Sequence, residues 1–221
     1  MKLLPSEIVT TAEKTEFSVI WLHGLGADGN DFVPIIPELH LPANLGVKFI
    51  FPHAPVRPIA LNNGYEMRAW FDMTSLDRAN NTNEDDILTT VSWINAFIEK
   101  EIEDGIPAEK ILLAGFSQGG VIALQAGLRF PKKLAGIMAL STYLPFAENL
   151  LKNASDQQKG ISIFTAHGVN DPVIPFASLK DYSSKLTEHG YAVETHSYPM
   201  EHSVSAEEIK DVSNWLQKVL K

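Results

Sequence analysis

The sequence predicts an α/β fold: a mostly parallel central sheet with helices on both faces. Three observations lead there. Short apolar runs alternate with amphipathic helical patterns along the chain, the order in which strands and covering helices build a parallel sheet. The apolar runs are nearly continuous, as strands buried on both faces require. One strand-to-helix junction, Gly115-Phe116-Ser117-Gln118-Gly119, carries the glycines of a very tight turn.

Strands are expected at residues 17–23, 47–53, 111–116, 134–141, 161–167 and 193–198. Asn83 can cap a helix whose first turn holds Glu84, Asp85 and Asp86, favourable at the positive end of the helix dipole. Ile87, Val91, Ile94 and Ile98 give that helix its apolar face, and Gly105 is placed to end it. The segment after Ser117 is apolar on nearly all sides to Leu128, so a buried helix stopping at Pro131 is expected. Ser205-Ala206-Glu207-Glu208 reads as a capping box ahead of Ile209, Val212, Leu216 and Val219. Residues 54–82 and 143–160 lack a regular pattern, and loops of such length in a compact domain are often binding loops. No repeat or linker divides the 221 residues, so one domain over 1–221 is expected.

Composition excludes several classes of function. Lysine and arginine total 18 against 27 acidic residues, a net charge of −9, which repels a polyanion such as nucleic acid. There is no cysteine, which removes disulfides, thiolate metal sites, a cysteine nucleophile and any site for S-acylation. Met1-Lys2-Leu3-Leu4-Pro5-Ser6-Glu7 lacks the apolar run of a signal peptide, and no stretch is apolar for long enough to span a bilayer. A cytoplasmic protein with no stable membrane anchor is the expectation.

The pentapeptide around Ser117 also matches G-x-S-x-G. That pattern alone occurs by chance in many proteins. Here it follows a strand and opens a helix, the context in which the turn strains the serine backbone and lifts the hydroxyl over the sheet edge. An activated serine needs a histidine and an acid, in the chain order Ser, Asp, His for this fold. Of the downstream histidines, His189 sits at an apparent helix end and His196 inside a strand, whereas His202 follows a strand at the carboxyl edge of the sheet. Asp171, in His167-Gly168-Val169-Asn170-Asp171-Pro172, reaches the same edge, although Asp-Pro by itself is a common turn. Asp181 and Asp156 are worse placed, on a helix and before the strand. His23-Gly24-Leu25-Gly26 follows the first strong strand where one oxyanion donor is expected, and the amide of Gln118 is the natural second.

Gly24-Leu25-Gly26-Ala27-Asp28-Gly29 also satisfies G-x-G-x-x-G. A dinucleotide reading fails because Asp28 would face the pyrophosphate and the next strand ends at Phe51-Pro52-His53 with no acid for the ribose. No histidine pair has a metal-binding spacing. No cofactor and no metal are expected.

Taken together, these motifs resemble the small carboxylesterases and lysophospholipases that include the acyl-protein thioesterases. The resemblance runs from about Phe17 to the C-terminus. It rests on Leu22-His23-Gly24-Leu25-Gly26, Arg68-Ala69-Trp70-Phe71-Asp72, Gly115-Phe116-Ser117-Gln118-Gly119-Gly120, Leu140-Ser141, Leu144-Pro145, His167-Gly168, Asp171-Pro172 and Pro175. It implies the α/β-hydrolase fold with a minimal lid. It further implies catalytic Ser117, Asp171 and His202, oxyanion donors at the Leu25 and Gln118 amides, and no cofactor. The substrate would be a small-molecule acyl ester or thioester, and the chain often a homodimer. The resemblance also suggests that Trp70, Leu144 and Ile174 border an acyl groove. The other reading of Arg68–Asp72 is a loop pinned by a buried Trp-Phe pair and an ion pair. Some eukaryotic members carry an N-terminal cysteine for palmitoylation, which this chain lacks.

Overall fold

The computed structural model describes residues 3–75 and 82–221. In chain order its elements are β1 (Ser6–Thr10), β2 (Phe17–Leu22), α1 (Ile35–Glu38), β3 (Val47–Pro52), β4 (Val56–Ile59) and β5 (Tyr65–Arg68). Next come α2 (Glu84–Glu103), β6 (Ile111–Phe116), α3 (Gln118–Arg129), β7 (Gly136–Leu140) and α4 (Ala147–Lys152). β8 (Ser162–Gly168), α5 (Ala177–Glu188), β9 (Ala192–Tyr198) and α6 (Ala206–Val219) complete the chain. Seven strands form one sheet in the order β1-β3-β2-β6-β7-β8-β9. β1 is antiparallel to β3, and the other neighbouring pairs are parallel. This is the α/β-hydrolase fold.

All six expected strands are present within two residues of their expected ends. β1 was not expected. Its Ser6-Glu7-Ile8-Val9-Thr10 sequence is half-exposed, with Ile8 facing solvent, so it has no continuous apolar run to mark it. The stretch 54–82 is not irregular throughout: β4 and β5 form an antiparallel hairpin there, and residues 76–81 lie outside the described residues. Within 143–160 stands the short helix α4.

Strand alternation divides the core into two layers. Ile111 and Leu113 of β6, with Ile20 and Ile137, pack against α2, α3 and α5. Leu112 and Ala114, with Trp21, Met138 and Phe164, face α1 and α6 on the other side. The helix signals work as read: Asn83 accepts from the Asp85 amide at 2.8 Å, and Gly105 follows α2 at φ 99°.

The capping box of α6 is half made. Ser205 Oγ accepts from the Glu208 amide at 3.2 Å, but both carboxyl oxygens of Glu208 are buried without a hydrogen-bond partner. Burial pushes this carboxyl up to about 8, and the charge of Asp211 adds to the rise. A carboxyl whose folded pKa is raised loses stability as pH climbs from its unfolded value toward the folded one. Glu208 should therefore cost stability progressively between about pH 4.5 and 8, on the order of 4 kcal/mol at the upper end. Glu208→Gln is expected to remove that slope, raising the urea midpoint at pH 8.5 far more than at pH 5. Equal shifts at both pH values would refute the assignment.

Candidate active site

The site stands at the carboxyl edge of the sheet, where β2, β6, β8 and β9 end. Ser117 occupies the turn between β6 and α3 with φ 53° and ψ −118°, a conformation that costs energy for a residue bearing a Cβ. Two glycines make the turn possible. A Cβ on Gly115 would meet the Gly119 carbonyl oxygen at 2.2 Å, and one on Gly119 would meet the Leu22 carbonyl oxygen at 2.3 Å. The Ser117 amide donates to Leu140 O at 2.9 Å and its carbonyl accepts from Thr142 Oγ1 at 2.7 Å, so the turn is anchored to the end of β7.

His202 and Asp171 are brought together from two loops. Asp171 Oδ2 accepts a 2.6 Å hydrogen bond from His202 Nδ1, while Oδ1 accepts from the Val173 and Ile174 amides at 2.8 Å each. Burial alone would raise the Asp171 pKa, but the His202 bond and the two amides outweigh it and hold the carboxyl below its usual range. Asp171 is therefore a carboxylate. It fixes the proton on Nδ1 and leaves Nε2 free to accept one. The two loops touch through backbone: the Val169 amide donates to Tyr198 O at 2.9 Å and the Asn170 amide to Met200 O at 3.1 Å. A Cβ on Gly168 would meet the Glu201 and Met200 carbonyl oxygens at 2.3 Å, so only glycine permits this approach.

Ser117 and His202 line one cavity of about 300 Å3, with Leu25, Gln118, Leu61, Met73, Tyr143 and Ile174 among its other walls. Among the described residues the Leu25 and Gln118 amides have no protein acceptor, and Gln118 opens α3, whose dipole adds positive potential there. The Leu25 amide is aimed by its neighbours. His23 Nε2 accepts from the Ala54 amide at 3.1 Å, so the proton is on Nδ1, which donates to Gly24 O at 2.7 Å. That bond fixes the Gly24–Leu25 peptide plane and turns the Leu25 N–H the opposite way. Burial lowers the His23 pKa to about 4, which keeps this arrangement neutral near pH 7. Gly26 N donates to Arg68 O at 2.9 Å and holds the far side of the same loop.

Two expected wall residues are elsewhere. Trp70 is fully buried behind the cavity: its Nε1 donates to His23 O at 2.8 Å and its amide donates to Gln118 Oε1 at 2.8 Å. Leu144 lines a neighbouring cavity formed with α5, and Tyr143 takes its place beside Ser117. The loop 68–72 is pinned by Trp70, Phe71 and Gln118, whose Nε2 donates to Phe71 O at 2.8 Å. No Arg68–Asp72 ion pair is involved: Arg68 donates to Ala54 O, and Asp72 Oδ1 accepts from the Ala60 amide. His196 stacks on Phe164 and His189 caps α5. Leu61 and Met73 had no sequence signal, since they sit in a stretch without periodicity. His167 has no role in the sequence reading, yet its buried Nε2 donates to Ile174 O at 3.0 Å and lies 3.3 Å from Asp171 Oδ2. Among the described residues no group of His, Asp or Glu could hold a metal ion.

A model of the phospholipase/carboxylesterase family matches residues 4–220. The chain belongs to the phospholipase/carboxylesterase family. It is 36% identical over 238 residues to acyl-protein thioesterase 1 of Cryptococcus neoformans var. neoformans, covering 100% of this chain and 97% of that protein. Arabidopsis thaliana SOBER1 superposes with a TM-score of 0.87 at 32% identity, covering 93% of this chain and 99% of that one. Acyl-protein thioesterase 2 of Zea mays gives 0.86 at 26% identity, covering 99% and 100%. Membership in the phospholipase/carboxylesterase family sets the reaction class as hydrolysis of carboxylic esters.

Because Trp70 carries the site rather than lining it, Trp70→Ala should lower kcat/KM for acetate and octanoate esters by the same factor. It should also destabilise the fold by about 3–5 kcal/mol. A loss confined to the longer ester would return Trp70 to the substrate wall.

Proposed function

We propose that the chain is a serine carboxylesterase, active on thioesters as well as oxygen esters of short- to medium-chain acids, with Ser117, His202 and Asp171 as its triad. The observation that carries this reading is the 2.6 Å Asp171–His202 bond at the cavity that also holds the strained Ser117. Ser117 attacks the acyl carbonyl as His202 Nε2 takes the hydroxyl proton, and negative charge collects on the oxygen between the Leu25 and Gln118 amides. His202 returns the proton to the departing oxygen or sulfur. A water then gives its proton to the same imidazole and hydrolyses the acyl-enzyme.

A cavity of about 300 Å3 holds about ten water-sized groups, which supports short to medium acyl chains. Thioester cleavage is supported by the similarity to proteins named acyl-protein thioesterases. The absence of cysteine, and of any described helix long and apolar enough to cross a membrane, supports work in the cytoplasm without an anchor. Dimer formation belongs to the same proposal.

A fluorophosphonate should label Ser117 alone, and Ser117→Ala should lower kcat by about 10⁵ to 10⁶. Asp171→Asn should cost up to about 10⁴ by reversing the His202 tautomer. An adduct mapped to another serine, or an active Ser117→Ala protein, would end the proposal.

Activity should climb from acetate to medium-length p-nitrophenyl esters by a few-fold per methylene, at about 0.8 kcal/mol each, then stop once the cavity is filled. Ile174→Trp should end the climb earlier while sparing acetate, measured as kcat/KM across the series. An unchanged profile would place the acyl chain elsewhere.

A further inference from the structure

Two cavities meet at Phe116 and His202. One, of about 300 Å3, holds Ser117. The other, of about 450 Å3, is walled by Phe32, Ile35, Val204 and Ile209 together with the carboxylates of Asp31 and Glu38. Phe116, His202 and Asp31 belong to both, whereas Ser117, Leu25 and Ile174 belong only to the first.

This division matches the two halves of an ester. On the reading above, His202 protonates the departing atom, which must come within hydrogen-bond reach of the imidazole. The acyl carbon meanwhile stays on Ser117. The leaving group is thus led along His202, and the space that opens there is the second cavity. Its walls are apolar, but its formal charges are of one sign. Among the described residues no lysine or arginine lines it. Among the described residues neither Asp31 nor Glu38 is in an ion pair. Lys210 lies in the next cavity beyond Glu38 and pairs with neither. Asp28 lies near enough to act on Asp31 with a charge of the same sign, and the chain as a whole carries −9.

We infer that the cavity bounded by Phe32, Ile35, Val204, Asp31 and Glu38 is the leaving-group site, and that it favours an alcohol or thiol bearing a positive charge on an apolar body. The inference rests on the ester-hydrolase reading and adds to it the chemistry of the departing half. A leaving group with a phosphate next to the scissile bond would be opposed by the same carboxylates.

Butyrylcholine and 3,3-dimethylbutyl butyrate test this, because they share shape and acyl group and differ in a quaternary nitrogen against a carbon. The ratio of their kcat/KM values contains their intrinsic reactivities, which cancel when variants are compared. In Asp31→Asn/Glu38→Gln the choline-to-neutral ratio should fall about three- to tenfold, the range of partly exposed charge pairs. Glu38→Gln alone, outside the Ser117 cavity, should move it the same way. Raising ionic strength should shrink the wild-type ratio and leave that of the double variant flat. Val204→Trp should slow both bulky esters relative to methyl butyrate. A ratio that stays put in an active double variant overturns this inference alone. A wild-type protein that cleaves neither ester and whose Ser117 resists the fluorophosphonate overturns the hydrolase reading and this inference with it.

Discussion

Helix α3 begins with its backbone pressed against the end of β2, and the rest of the site depends on that contact. Gly119 lies so close to the Leu22 and His23 carbonyls that a Cβ there would come within 2.3 and 2.6 Å of their oxygens. The close approach forces the chain to reverse in one residue, so Ser117 takes a positive φ and its side chain stands clear of the sheet. It also brings the first turn of α3 next to the loop after β2, so that the Leu25 and Gln118 amides border one cavity. A larger residue at Gly119 would push Ser117 and the Leu25 and Gln118 amides apart.

Buried polar contacts behind the cavity convert that approach into fixed geometry. Gln118 is 2% exposed and uses both ends of its side chain, accepting from the Trp70 amide and donating to Phe71 O. Trp70 then reaches back to His23 O, and the His23 ring, 5.0 Å from that of Trp70, holds Gly24 O. Each of these groups is buried and would be costly to leave unpaired, so the network has little freedom to relax. The motif around Trp70 thus supports the site from below, which explains a conspicuous aromatic pair that meets no substrate.

The acid and base come from the other half of the sheet and are joined by the same device, backbone meeting backbone at a glycine. Gly168 lets the loop after β8 lie on the loop after β9, and three donors converge on the Asp171 carboxylate: His202 and the Val173 and Ile174 amides. The carboxylate they stabilise holds the His202 ring through Nδ1. Ile174 both donates to Asp171 through its amide and lines the cavity, so the cavity wall and the Asp171–His202 pair share one turn.

The sequence by itself determined six of the sheet's seven strands and put Ser117, Asp171 and His202 at the ends of three of them, because apolar periodicity and tight-turn glycines are local properties. Asn83, Gly105 and Ser205 marked helix ends for the same reason. Only the tertiary structure decided which side chains face the cavity. Tyr143 rather than Leu144 lines it, Val173 joins Ile174, and Leu61 and Met73 arrive from a stretch with no period at all. In a strand or helix the side-chain direction follows from position. In a loop it is set by contacts with segments distant in sequence, here the bonds that carry Trp70 beneath Gln118 and bring Gly26 to Arg68. Edge strand β1 escaped for a related reason: its place comes from pairing with β3, not from an apolar run of its own.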